Sequence, residues 1–325
     1  MEENISFELS LYGDKNDFSI NDMEFCADRI AMLPKIRPHQ LEKAVSLSIG
    51  FCKITGFRES LLEKSNICPV LIYQMNKRGI FLFEEIEPSL RYEDSLLLCY
   101  YFRQNINDFE VFIKSKNKFD EFDEFSFKDD HDFEQMLEYG FPCSSFEYCL
   151  KYDVVDDLIK FDLPNQNVKW SPFEWSIKPK YLDPFSFSGF FGSIKCFKYL
   201  LMNGFQINDK VLSMVVCSGC LDLFHLCNRL QFIISEMICR ASEFCQLSLL
   251  VFMIENYSNN KEYAKFFWDL NKNPEYSVKL NGYLRVVDYH KVAVNVKTKG
   301  VMFQYLILLL FILLLKMVIF VLSNI

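Results

Sequence analysis

Turn-forming residues are scarce in this chain, with 11 Gly and 10 Pro among 325 residues. A sandwich or barrel of many short strands would use more of both, so packed helices are favoured. Histidine is scarcer still: His39, His131, His225 and His290 each stand in a different region. That leaves little material for imidazole-based catalysis or zinc hydrolysis. Basic charge is in deficit as well. A formal net charge of -8 and an isoelectric point near 5.2 repel phosphate backbones and exclude an electrostatic footprint for nucleic acid. The G-x-x-x-x-G-K-[ST] phosphate loop does not occur, and the pair Gly189/Gly192 is too sparse for a dinucleotide fingerprint. Met1-Glu2-Glu3-Asn4 is followed by no apolar stretch, so no secretory leader is expected and the body of the chain is expected in the cytosol.

What is present is an ordinary globular balance, 50% hydrophobic and 24% charged, with an unusual 34 Phe. The length allows about two domains and a large core. Twelve cysteines are scattered singly through apolar runs, as at Cys99, Cys149, Cys196 and Cys239. In a reducing compartment they act as small core hydrophobes rather than a disulfide framework.

The longest apolar run is Val301 to Leu322, interrupted only by Gln304 and Lys316. As a helix rising 1.5 Å per residue it spans about 33 Å, the thickness of a bilayer's hydrocarbon core. It is expected to be a transmembrane helix inserted as a tail anchor. Arg285, Lys291, Lys297 and Lys299 precede it, which by the positive-inside bias holds the preceding residues on the cytosolic side. Lys316 is unfavourable in the membrane but sits near one end and can snorkel.

From about residue 40 to 113 apolar positions recur at helical spacing, as in Leu41, Ala44, Val45, Ser48 and Ile49. Between Phe119 and Glu134 eight carboxylates alternate with five Phe, opposed only by Lys128; a solvated loop is expected over 119–140. A calcium loop there would lack the glycine-centred ligand spacing.

Past Phe141 a unit repeats. In its clearest copy Asp183 caps a helix opened by Pro184, Gly192 and Ser193 separate it from a second helix, and Gly204 stops that one. Ile194, Phe197, Leu200 and Leu201 line one face of the second helix. Gly219 stands 27 positions after Gly192, with Leu221/Phe224 matching Ile194/Phe197. A worn copy runs from Met237 to Tyr257, and Ile106–Ile113 and Val155–Ile159 look like second helices of further copies. Helix pairs at a near-constant period predict a solenoid in which each pair covers its neighbour's apolar face.

The stretch Phe190-Phe191-Gly192-Ser193-Ile194-Lys195-Cys196-Phe197-Lys198-Tyr199-Leu200-Leu201-Met202-Asn203-Gly204 resembles the start of the array in the trichomonad-type ankyrin-repeat family, whose members carry an uncharacterised helical domain ahead of the repeats. Gly219 to Cys227 is similar to that family's second unit. Ile36-Arg37-Pro38 and the region Tyr73 to Ile86, with Arg78-Gly79-Ile80, resemble its N-terminal domain. The units are shorter than a usual ankyrin repeat and lack its Thr-Pro-Leu-His opening. The resemblance implies an all-α fold, a helical N-terminal domain over 1–118 and degenerate ankyrin-like repeats over 141–260; the residue pattern adds the acidic Phe-rich loop over 119–140, a diverged or linker segment over 261–300 and the transmembrane helix over 301–322, where the chain departs from that family's further repeats. It implies a non-enzymatic protein-binding role with no cofactor.

Within that frame the partner-contact candidates are Lys180, Lys210 and Ser213 near the starts of first helices, and the inter-repeat segments Phe205 to Asp209 and Gln231 to Glu236. Cys217-x-x-Cys220 with His225 and Cys227 is the nearest approach to a metal set, but it straddles a repeat junction and lacks a second C-x-x-C. Trp170-Ser171-Pro172-Phe173-Glu174-Trp175 is expected to seal the end of the array. Two alternatives stand beside the scaffold: a membrane-bound enzyme with Cys217 as nucleophile and His225 as its base, and a soluble fragment whose apolar tail is a reading-frame artefact.

Overall fold

The computed structural model describes residues 20–64, 67–91, 95–114, 130–163 and 166–227, with scattered positions between 237 and 256. Those residues form helices and turns with no strand among them. The chain is all-α over this range. The tail 301–322 lies outside the described residues, and among those described no helix is long and apolar enough to cross a membrane.

The described residues from Ile20 to Ser218 make one compact unit and those from Gly219 onward another. The first unit begins with α1 (Ile20–Ile36), a 3-10 turn (Pro38–Gln40) and α2 (Leu41–Phe51). In α2 the expected stripe is buried: Leu41, Ala44, Val45, Ser48 and Phe51 face inward. Then come α3 (Phe57–Glu63), α4 (Pro69–Lys77) and α5 (Phe83–Leu90). Arg58 of α3 grips the Glu85 carboxylate of α5 through Nε and Nη2, at 2.6 to 3.0 Å, while Glu85 also accepts the Leu82 N–H at 2.7 Å. One carboxylate thus ties two helices together and caps one of them. The short α6 (Leu96–Tyr101) and α7 (Phe109–Lys114) complete this region.

Residues 130–139, placed in the acidic loop by the sequence, form α8 (Asp130–Tyr139) instead. Phe133, Met136 and Leu137 recur at helical spacing and are almost fully buried. That one apolar stripe is enough to dock the segment in spite of its carboxylates.

The helix pairs follow. They are α9 (Phe146–Tyr152) with α10 (Val155–Leu158), and α11 (Pro184–Phe191) with α12 (Ile194–Met202); α13 (Asp209–Ser218) packs next to them. The two complete pairs share their punctuation. Ser145 and Asp183 cap the first helices by accepting the Tyr148 and Ser186 N–H at 3.1 and 2.9 Å. Asp153 and Gly192, both left-handed with φ of 60° and 72°, end them. First helices pack on first helices, α9 on α11 and α11 on α13, while α10 packs on α12. Every residue of α11 is buried, because it is covered from both sides. Gly189 sets the closeness of α11 and α13: a Cβ there would stand 3.0 Å from a Val215 methyl and 3.5 Å from the Val211 carbonyl oxygen. In the second unit α14 (Leu221–Cys227) buries Leu223, Phe224 and Cys227.

Candidate functional site

One ion pair of the first unit is fully buried, and it sits between the N-terminal helices and the helix pairs. Lys151, on the last turn of α9, and Glu174, in the irregular segment before α11, pair at 2.7 Å with both side chains shut off from water. The ammonium also donates to the Tyr139 carbonyl oxygen at 2.9 Å, and Glu174 Oε1 accepts the Ser176 N–H at 3.0 Å. The Trp175 ring covers Lys151 Nζ at 3.6 Å from its centroid. Burial lowers the Lys151 pKa from the ordinary lysine range, and the neighbouring Glu174 carboxylate opposes that shift.

A glycine makes room for this pair. Gly140 follows α8 with φ +84°, and a Cβ there would come within 2.5 Å of Glu174 Oε2 and 3.2 Å of its Cα. No other residue type fits both the backbone and the space.

The same segment fastens α1 and its following turn to the helix pairs. Trp175 Nε1 donates to the Pro38 carbonyl oxygen at 3.1 Å, and the Ile177 N–H donates to that of Lys35 at 2.9 Å. His39 completes the seam. It is exposed on one side, yet its Nε2 lies 3.1 Å from the Phe191 carbonyl oxygen and its ring stands edge-on to Tyr152 and Phe191. Burial, with the Lys151 charge beside it, pushes the imidazole below the ordinary histidine range. The Trp-rich segment expected to seal the end of an array therefore lies inside the unit as a joint. Trp170 packs against Phe141 and Phe187 at 6.4 and 6.3 Å.

With its carboxylate and ammonium satisfied by one another and by backbone groups, this cluster offers nothing to a substrate. It is a clasp.

The predicted contact residues are divided by the structure. Lys180 and Lys210 are exposed, and the fold brings both to one ring: each ammonium lies 5.3 Å from the centroid of Tyr181. Asp209 is exposed beside Lys210 at the start of α13, where Asn208 supplies the cap by accepting the Val211 N–H at 3.1 Å. Phe205 is half-buried, 6.0 Å from Phe185, and its N–H closes the end of α12 on the Leu200 carbonyl oxygen. Ser213 is a correction. It was expected on the surface but is 2% exposed, because Val211 to Cys217 is buried on every side of α13. Gln231 and Glu236 lie outside the described residues.

Comparison with protein-family models, with curated proteins and with solved structures returns no match. Function must therefore be argued from the residues alone.

The thiols are uniformly disfavoured as nucleophiles where their ionisation is perturbed. Burial pushes Cys68 and Cys227 up to about 12 and Cys52 and Cys149 to about 11. Cys217 is buried in α13, and His225 is exposed on α14 with its ring edge-on to Phe252 at 4.8 Å. Among the described residues no group of three or more His, Cys, Asp or Glu side chains could hold a metal ion.

Tyr181, Lys151, Glu174 and His39 were missed by sequence reasoning. Two signals were available: a carboxylate enclosed by aromatics in Trp170 to Trp175, and a lysine next to Cys149-Leu150 on the inward face of its helix. Tyr181 gave none, since its role depends on a lysine 29 positions away.

Proposed function

We propose that this chain is a non-enzymatic protein–protein interaction scaffold, built on ankyrin-like helix pairs and held at a membrane by residues 301–322, with the helices on the cytosolic side. One observation carries the scaffold reading: α9, α11 and α13 stack in chain order, first helix upon first helix, with α10 against α12. A row of helix pairs presents an extended surface and no enclosed chamber, which is how such arrays bind other chains. The residues at the starts of its first helices include exposed Lys180, Asp209 and Lys210. The raised pKa values of Cys52, Cys68, Cys149 and Cys227 lend support, since burial makes those four thiols poor nucleophiles. The tether is supported by the apolar run alone.

Site-specific photocrosslinking in cells tests the scaffold. A photoreactive residue replacing Lys180 or Lys210 in the full chain should trap one discrete protein, and the same residue replacing exposed Lys53 should not. Equal adducts at all three positions, or none, would remove the proposal. A thiol probe that labels Cys217, and loses that labelling in His225→Ala, would replace it with the cysteine-enzyme reading. For the tether, carbonate extraction should leave the full chain in the pellet and release a chain ending at Thr298. Release of both would discard the anchor.

A further inference from the structure

We infer that the surface made by Lys180, Tyr181 and Lys210 docks an acidic peptide segment of the partner, with carboxylates against the two ammonium groups and apolar contact on the ring. The inference rests on the scaffold reading and adds to it the chemistry of the partner. Its basis is a juxtaposition the chain order does not contain. Lys180 and Tyr181 precede α11 and Lys210 opens α13, yet both ammonium groups stand 5.3 Å from one ring centroid. The two charges therefore lie within about 11 Å of each other, near enough for one short peptide segment to meet both.

Among the described residues neither lysine has a carboxylate partner. Elsewhere on the surface Asp28 holds Lys64, Glu138 holds Lys77 and Glu42 holds Arg78. The nearest carboxylates by sequence are Asp183, already engaged as the cap of α11, and Asp209. Asp209 adjoins Lys210 on the helix, where neighbouring residues point about 100° apart and do not pair. The chain as a whole is acidic, at -8, so two ammonium groups gathered at one ring offer an acidic segment a footing that the rest of the surface does not. Half-exposed Tyr181 supplies a rigid amphipathic ring, the kind of side chain that anchors interfaces.

The test uses the purified full chain in mild detergent and a fluorescein-labelled peptide of four Glu residues around a central Tyr, read by anisotropy. Its Gln counterpart is the control. The Glu peptide should bind, the Gln peptide should bind at least about tenfold more weakly, and Lys180→Glu/Lys210→Glu should lose about tenfold or more with an unchanged circular dichroism spectrum. Binding should also fall steeply as salt is raised. Equal affinity for the two peptides, or an unchanged affinity in the double variant, overturns the inference. So does a preference of the same surface for anionic lipid vesicles. If neither peptide binds while crosslinks at positions 180 and 210 still trap one protein, the scaffold stands and the acidic class is wrong. If both experiments are blank, both readings fall together.

Discussion

Replacing Lys151 by Met should cost the fold about 3–5 kcal/mol. The lysine is 1% exposed and its ammonium is 2.7 Å from Glu174. Methionine nearly matches its length and flexibility, so the cavity contribution is small and the loss is chiefly electrostatic. What remains is a buried carboxylate stripped of its counter-ion and a Tyr139 carbonyl oxygen stripped of a donor. Among the described residues the Ser176 N–H is what still serves that carboxylate. Against a total stability of about 5–15 kcal/mol, the loss is large enough to unfold part of the population at physiological temperature. In urea, with a slope of about 2 kcal/mol per molar, the midpoint followed by far-UV circular dichroism should drop by about 1.5–2.5 M. The double variant Lys151→Met/Glu174→Gln carries no stranded charge. It should recover part of that loss, giving a coupling of about 1–3 kcal/mol. Two results would refute the reasoning: a Lys151→Met midpoint within about 0.3 M of the parent, or a double variant as unstable as the sum of the two single ones.

Gly140→Ala should be destabilising by about 2–4 kcal/mol, because it combines a left-handed backbone with a Cβ 2.5 Å from Glu174 Oε2; thermal melting that matches the parent would contradict this. Asp183→Ala removes the cap of α11 and should cost about 1 kcal/mol, whereas Asp183→Asn should cost less than half of that by urea titration. The lowered pKa of His39 has a definite sign. The unfolded chain binds the extra proton, so this group's stabilising contribution is intact above about pH 6.5 and is lost as pH falls through the folded-state value. His39→Gln should therefore decline less between pH 7.5 and pH 5 than the parent, and parallel declines would assign the acid sensitivity elsewhere. Cys68, 2% exposed and pushed up to about 12, should stay unalkylated by iodoacetamide at pH 7.5 in the native chain and react fully in urea; labelling of the native protein within minutes would disprove its burial.

The sequence by itself determined the local structure. Helix periodicity in Leu41 to Ser48, the cap at Asp183 and the stop at Gly192 are all set within a few residues, since caps and left-handed turns depend only on neighbouring backbone groups. The same local logic failed at Asp130 to Tyr139. There the carboxylates spoke for a loop, and three buried side chains on one face decided for a helix. Tertiary structure alone decided the rest. It buried Ser213 because α11 lies against α13, and it set Lys151 against Glu174 across 23 positions of chain. It brought Lys180 and Lys210 to one Tyr181 ring. Each of these depends on how separate helices pack, and packing fixes distances between residues whose sequence neighbours carry no record of them.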